Sequence, residues 1–156
     1  MRYDEARSSI RSGDLLAWRG EGFVGRLIRH WTGASWSHVG IAWRFRGRVF
    51  VLEAREGSGV GLRAVSNCLP FDHIGADSHW SEDVESFALE HLGKPYSYPD
   101  FVRAGLGLRP GFEGEICSEY AAKVLRQAGV FASGLTPADL VSSCLELGGE
   151  MRAVRP

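Results

Sequence analysis

Three residues of this chain could together perform nucleophilic catalysis: a cysteine at the start of a predicted helix, and a histidine and a glutamate on two predicted strands. Cys117 opens the segment CSEYAAKVLRQAG, in which apolar residues recur at helical spacing until Gly129 ends the pattern. The unpaired amides and the positive end of the helix dipole stabilise a thiolate at such a position. The same amides can donate hydrogen bonds to an oxyanion, so the position suits a nucleophile.

Cys117 also has a purely structural interpretation. It lies on the apolar stripe of its helix with Tyr120, Ala121 and Val124, and free cysteines are often buried in protein cores. Helix periodicity alone therefore leaves both roles open. The other two cysteines, Cys68 and Cys144, are expected to be structural, because three cysteines at irregular spacing do not form a disulfide framework.

The strands that would carry the histidine and the glutamate form a predicted β-hairpin. The segments SHVGIAWRF and RVFVLEA are rich in β-branched and aromatic residues and are joined by Arg46 and Gly47, a short turn signal. If these two residues form the loop, Phe45 pairs with Arg48. Each further pair is then found by moving one residue back along the first strand and one residue forward along the second.

This register brings His38 and Glu53 onto one face of the hairpin. His38 would lie opposite Arg55, and Gly40 opposite Glu53, so His38 and Glu53 become diagonal neighbours with Cα atoms roughly 7–8 Å apart. A glutamate at that distance can accept a hydrogen bond from one ring nitrogen and leave the other nitrogen as a base. Each residue alone could also be an ordinary strand histidine or an exposed charge.

The residue sizes on the two faces of the hairpin suggest where a helix could approach. Gly40 and Ala42, on the face of His38, are small and would leave room for the end of the cysteine helix. The large residues of the opposite face are expected to form core: Val39, Ile41, Trp43 and Phe45.

The remaining patterns predict one α+β domain over residues 1–156, with a small antiparallel sheet or half-barrel packed against helices. GVGLRAV reads as a third strand, and residues 66–80 are ambiguous. Helices are predicted over 20–33, from Ser81 to Gly93, and from Thr136, where Pro137 suits the first helical position.

Composition excludes several classes of partner. With a net charge of −1 at pH 7, the chain lacks the basic field that gathers nucleic acid or anionic lipid. No apolar run reaches the roughly 18 residues of a membrane span, and the polar N-terminus does not resemble a secretory signal. We expect a cytoplasmic protein whose oligomeric state the sequence does not reveal.

One segment, FDHIGADSHW, could be considered for metal binding because it carries Asp72, His73, Asp77 and His79. It lacks a regular ligand spacing such as HExxH or paired CxxC. We therefore expect no metal site and no cofactor.

Five segments in order resemble a known family: SGDLLAWRG, TGASWSHVGIAW, VFVLEA, LGKPYSYPDF and ICSEY. They are similar to the circularly permuted branch of the NlpC-type, papain-like cysteine peptidases, the YiiX/YaeF-like proteins, in which the histidine strand precedes the cysteine helix. The resemblance implies a permuted papain-like fold with Cys117 as nucleophile, His38 as base and Glu53 as third member. Tyr96 matches a tyrosine near the family's site.

The resemblance also implies a reaction, the hydrolysis of an amide bond in a peptidoglycan peptide or a γ-glutamyl linkage through an acyl-enzyme. Two alternatives stay open: a lipid acyl esterase or acyltransferase with the same triad, and a non-catalytic binding or assembly module on the same fold. The related lecithin:retinol acyltransferase-like enzymes have a membrane anchor or hydrophobic flank that this sequence lacks. Without a secretory signal, three alternatives stay open for this protein: action inside the cell, release by lysis, and delivery by a phage.

Overall fold

The computed structural model describes residues 1–19, 35–108 and 114–156, which form an α+β fold around one six-stranded antiparallel sheet. The sheet order is β4-β3-β2-β1-β5-β6. The predicted helix over 20–33 lies outside the described residues. In chain order the elements are α1 (Tyr3–Ala6), β1 (Leu15–Trp18), β2 (His38–Phe45), β3 (Arg48–Arg55), β4 (Gly59–Ala64), a 3₁₀ turn (Val65–Asn67), β5 (Phe71–Gly75), α2 (Glu82–Glu90), α3 (Tyr98–Gly105), α4 (Cys117–Gln127), α5 (Pro137–Glu146) and β6 (Glu150–Val154).

The predicted hairpin is confirmed, and so is its register from the turn as far as Ile41 and Leu52. Arg46 and Gly47 form the two-residue loop, both with positive φ (47° and 78°), as a type I′ turn requires. Phe45 pairs with Arg48, and within the described residues the β2–β3 ladder continues to Ile41 opposite Leu52. The first residues of β2 pair instead with β1, where Trp18 lies opposite His38.

The two faces of the sheet are buried under different parts of the chain. On one face, helices α2, α4 and α5 cover residues that include Leu15, Val39, Ile41, Trp43 and Leu52. On the other face, α1 and the segment around the 3₁₀ turn cover residues that include Leu16, Ala42, Val49, Val51 and Phe71. Alternate residues of each strand thus enter different cores, as the pleat requires.

This arrangement corrects the expectation about where the cysteine helix packs. The apolar stripe of α4, which contains Cys117, lies against the large residues Val39, Ile41 and Trp43 and not on the side of Gly40 and Ala42. A helix stripe must bury against apolar surface, and the large side chains supply it. Ala42 belongs to the opposite core, under the N-terminal segment.

The predicted helix starts are confirmed by their caps. Ser81 accepts a hydrogen bond from the Val84 amide at 3.3 Å, and α2 follows it. Thr136 forms a capping box with Asp139 at the start of α5, with Pro137 at the first turn. Strands β1, β5 and β6 were not predicted, because short strands with mixed composition give no clear period.

Candidate active site

The structure brings the side chains of His38 and Glu53 into direct contact. His38 is the first residue of β2, and Glu53 lies near the end of the neighbouring strand β3. His38 Nε2 is 2.5 Å from Glu53 Oε2. Glu53 is fully buried, whereas 23% of the His38 side chain is exposed. The contact occupies Nε2 and leaves Nδ1 as the nitrogen available to another partner.

Cys117 also affects the pKa of this imidazole. Burial alone would lower the pKa of His38, but hydrogen bonding and negative charge from Cys117 and then from Glu53 raise it to about 9. The ring is therefore an imidazolium at neutral pH. A cysteine near a histidine that a carboxylate orients is the arrangement that nucleophilic catalysis uses.

Arg63 is a fourth member of this group, and the sequence patterns did not indicate it. It lies on β4, and its Nε donates to Glu53 Oε1, the carboxylate oxygen that His38 does not use. Burial raises the pKa of Glu53, but His38 and Arg63 more than compensate, so its pKa is lowered. The β3–β4 register pairs Val51 with Arg63, which makes Arg63 a diagonal neighbour of Glu53. A strand count extended through the turn 56–58 would have found it.

A buried carboxylate anchors the backbone that leads into α4. Glu115 is 2% exposed and lies 3.1 Å from Lys123 Nζ, with His91 Nε2 and Lys94 Nζ each at 3.7 Å. Its backbone amide donates to the Pro95 carbonyl at 3.0 Å. These contacts fix the chain two residues before Cys117.

The first turn of α4 retains amides that can act on a substrate. The residue before the helix, Ile116, supplies no side-chain cap among the described residues. The Ser118 hydroxyl donates to the Leu135 carbonyl at 2.9 Å and ties this turn to the start of α5. An oxyanion near Cys117 could therefore accept from the first-turn N–H groups.

Tyr96 lies beside Cys117. It forms an isolated parallel bridge with Glu115 and packs against the core that contains Cys117. Burial raises the pKa of Tyr96 well above its ordinary value, and the charge of Cys117 raises it further. The phenol therefore stays protonated and can act as a hydrogen-bond donor.

Gly40 borders Glu53 from the neighbouring strand. A Cβ added to Gly40 would lie 2.5 Å from Val51 Cγ2 and 3.0 Å from Glu53 Cβ. The absence of a side chain thus makes room for Glu53 and Val51 rather than for a helix. Any larger residue would force Val51 or the side chain of Glu53 to shift.

The residues considered for metal binding have other partners. Asp72 Oδ2 accepts from Arg19 Nε and Trp36 Nε1, each at 2.9 Å. His73, which follows Asp72 in β5 and so faces the other side of the sheet, contacts Asp14 Oδ2 through Nε2 at 2.7 Å. Asp77 and His79 are exposed. Within the ranges that the structure describes, no three His, Cys, Asp or Glu side chains are grouped to hold a metal ion.

The same ranges contain no helix with the length and apolar character needed to cross a membrane. The other cysteines, Cys68 and Cys144, are buried free thiols. Cys144 lies in the helix-covered core, and Cys68 lies in the opposite core near Glu53 and Arg63.

No family model matches the chain, and no curated protein matches its sequence. Among solved structures, the fold is similar to the crystal structure of the metalloprotein yiiX from Escherichia coli O157:H7, DUF1105. The TM-score is 0.60 at 20% sequence identity, and the match covers 76% of this chain and 66% of yiiX. The chain therefore shares a YiiX-like fold and spans slightly less than two thirds of that protein.

Proposed function

We propose that this protein is a thiol hydrolase with a circularly permuted papain-like fold, in which Cys117 is the nucleophile. The observation that carries the proposal is the 2.5 Å contact of His38 Nε2 with the fully buried Glu53, on an imidazole whose pKa Cys117 also raises. A histidine oriented by a carboxylate and adjacent to a cysteine at a helix start has the parts of a nucleophile–base–orienter triad.

In the proposed reaction, the Cys117 thiolate attacks the carbonyl carbon of an amide or ester. The carbonyl π electrons move to oxygen, and this oxyanion accepts hydrogen bonds from the first-turn amides of α4. The C–N or C–O bond then breaks as the His38 imidazolium gives its Nδ1 proton to the leaving group. The products of this half-reaction are a thioester on Cys117, a neutral imidazole and a released amine or alcohol.

Deacylation reverses the role of His38. Nδ1 removes a proton from water as the oxygen attacks the thioester carbonyl, and collapse of the tetrahedral intermediate breaks the C–S bond. The thiolate and the imidazolium are restored, and a carboxylic acid leaves. Glu53 holds the Nε2–H tautomer throughout, and Tyr96 lines the site beside the core that contains Cys117.

The proposed substrate is an amide of a peptidoglycan peptide or a γ-glutamyl linkage, on the basis of the resemblance in motif order. Because yiiX is described as a metalloprotein, a metal-dependent function is also a candidate for this chain. The described Asp72, His73 and His79 do not fit a shared ion, because their side chains diverge or contact other groups.

Trapping the acyl-enzyme tests the proposal directly. Mass spectrometry after a brief reaction with p-nitrophenyl acetate should find an acetyl group on Cys117, and Cys117→Ala should abolish it, while Cys68→Ala should not. A panel of muropeptides and acyl lipids then separates amidase from lipid acyltransferase. Wild-type protein that binds these compounds without acylation at Cys117 would support the binding-module alternative instead.

A further inference from the structure

We propose that Arg63 is a positioning residue that keeps Glu53 ionised while the acyl-enzyme is hydrolysed. This inference rests on the proposed function. Arg63 and His38 approach Glu53 from the two neighbouring strands, β4 and β2, and each contacts a different carboxylate oxygen. Glu53 itself is fully buried, so the two strands supply its charge compensation in place of water.

The charges around Glu53 differ between the two halves of the reaction. In the free enzyme the carboxylate contacts two cations, the His38 imidazolium and Arg63. After acylation His38 has lost its proton to the leaving group. Of the described residues that contact Glu53, Arg63 is then the one that still carries a positive charge. Deacylation therefore depends on Arg63 to a degree that acylation does not.

A proton on Glu53 would disable His38 as a base. A neutral carboxylic acid would donate its hydrogen to His38 Nε2, and the ring would then carry its own hydrogen on Nδ1. Nδ1 could no longer accept a proton from water. An ionised Glu53 instead accepts from Nε2–H and leaves the lone pair of Nδ1 free, which is the tautomer that deacylation requires.

Two further groups near Glu53 among the described residues, Cys68 and Arg55, do not replace Arg63. Cys68 lies near Glu53 and Arg63, and burial raises the pKa of its thiol, so it is neutral where the enzyme would work. The charge of Arg55 acts to lower the pKa of Cys68, but Arg55 is not among the groups that lower the pKa of Glu53. Arg55 thus provides a matched control, an exposed arginine on β3 two residues from Glu53.

The test compares Arg63→Met, Arg63→Lys and Arg55→Met in single-turnover reactions with p-nitrophenyl acetate. In Arg63→Met we expect acetylated Cys117 to accumulate, with deacylation slowed about tenfold or more near pH 6 and recovering as the pH rises and Glu53 loses its proton. Arg63→Lys should restore most of the rate because it keeps the charge. Arg55→Met should match the wild type.

A second readout separates this role from a general structural one. The rate at which iodoacetamide alkylates Cys117 in the free enzyme should change little in Arg63→Met, because protonated His38 still holds Glu53 ionised. A uniform loss of alkylation, acylation and deacylation at every pH would overturn the inference, as would unchanged deacylation in folded Arg63→Met. If the Met variant does not fold, Arg63→Gln takes its place, since an amide keeps hydrogen-bonding capacity without charge. If p-nitrophenyl acetate does not acetylate Cys117 in the wild type, the proposed function is wrong, and this inference with it.

Discussion

Replacing Glu53 by glutamine removes the negative charge behind His38 with almost no change in side-chain volume. In the wild type, the Glu53 carboxylate accepts hydrogen bonds from two donors, His38 Nε2 and Arg63 Nε, on separate oxygens. An amide has one acceptor oxygen, so it can satisfy one of these donors while its NH₂ group faces the other. If the NH₂ group faces His38, the imidazolium loses its hydrogen bond. If the oxygen faces His38, the hydrogen bond remains but its acceptor is neutral.

The size of the effect follows from that hydrogen bond. A hydrogen bond to a charged group contributes about 1.5–3 kcal/mol. Each factor of ten in rate corresponds to about 1.36 kcal/mol, so kcat for p-nitrophenyl acetate should fall about 10- to 150-fold in Glu53→Gln. His38→Ala and Cys117→Ala should lose more, since they remove the base and the nucleophile. The fold should persist, because the Arg63 side chain is 35% exposed and can regain water.

The assay pairs turnover with the rate of Cys117 alkylation at pH 6, and a urea titration checks that the variant is folded. Arg55→Gln is the control, an exposed residue on the same strand. If folded Glu53→Gln keeps the wild-type kcat and the wild-type alkylation rate, then Glu53 does not support His38 and the proposed triad is wrong.

Three further results are expected. At pH 6 iodoacetamide should label Cys117 before Cys68 and Cys144, since burial raises the pKa of both competitors, that of Cys144 to about 11. Exposure would not explain this preference, because Cys117 is 5% exposed and Cys68 7%; equal labelling would contradict the nucleophile assignment. Activity should survive dialysis against EDTA and be lost on alkylation, whereas loss with chelator and recovery with zinc would require a metal mechanism. Because the pKa of His38 is raised from 6.5 to about 9, its contribution to the free energy of unfolding should be full below about pH 6.5 and disappear as the pH rises through 9. Urea titrations of the wild type should show this fall and those of His38→Gln should not; parallel curves would contradict the ion pair.

Local patterns in the sequence determined the parts of this protein that depend on neighbours within a few residues. The Arg46-Gly47 turn predicted the β2–β3 register, because a two-residue loop leaves no freedom in which residues pair. That register by itself places His38 and Glu53 on one face of the hairpin. Ser81 and Thr136 predicted helix starts for the same reason, since a cap acts on amides two or three residues away.

Only the tertiary structure decided which helices pack on which face of the sheet, and which side chains of different strands come into contact. The helix of Cys117 lies on the side of Val39 and Ile41, because burying apolar area outweighs the open space that Gly40 and Ala42 suggested. Arg63 became part of the site through a third strand, and its contact with Glu53 depends on the length of a second turn. The helix of Cys117 and the strands that it covers are far apart in the chain, and the free energy of their packing comes from burial that no local periodicity records.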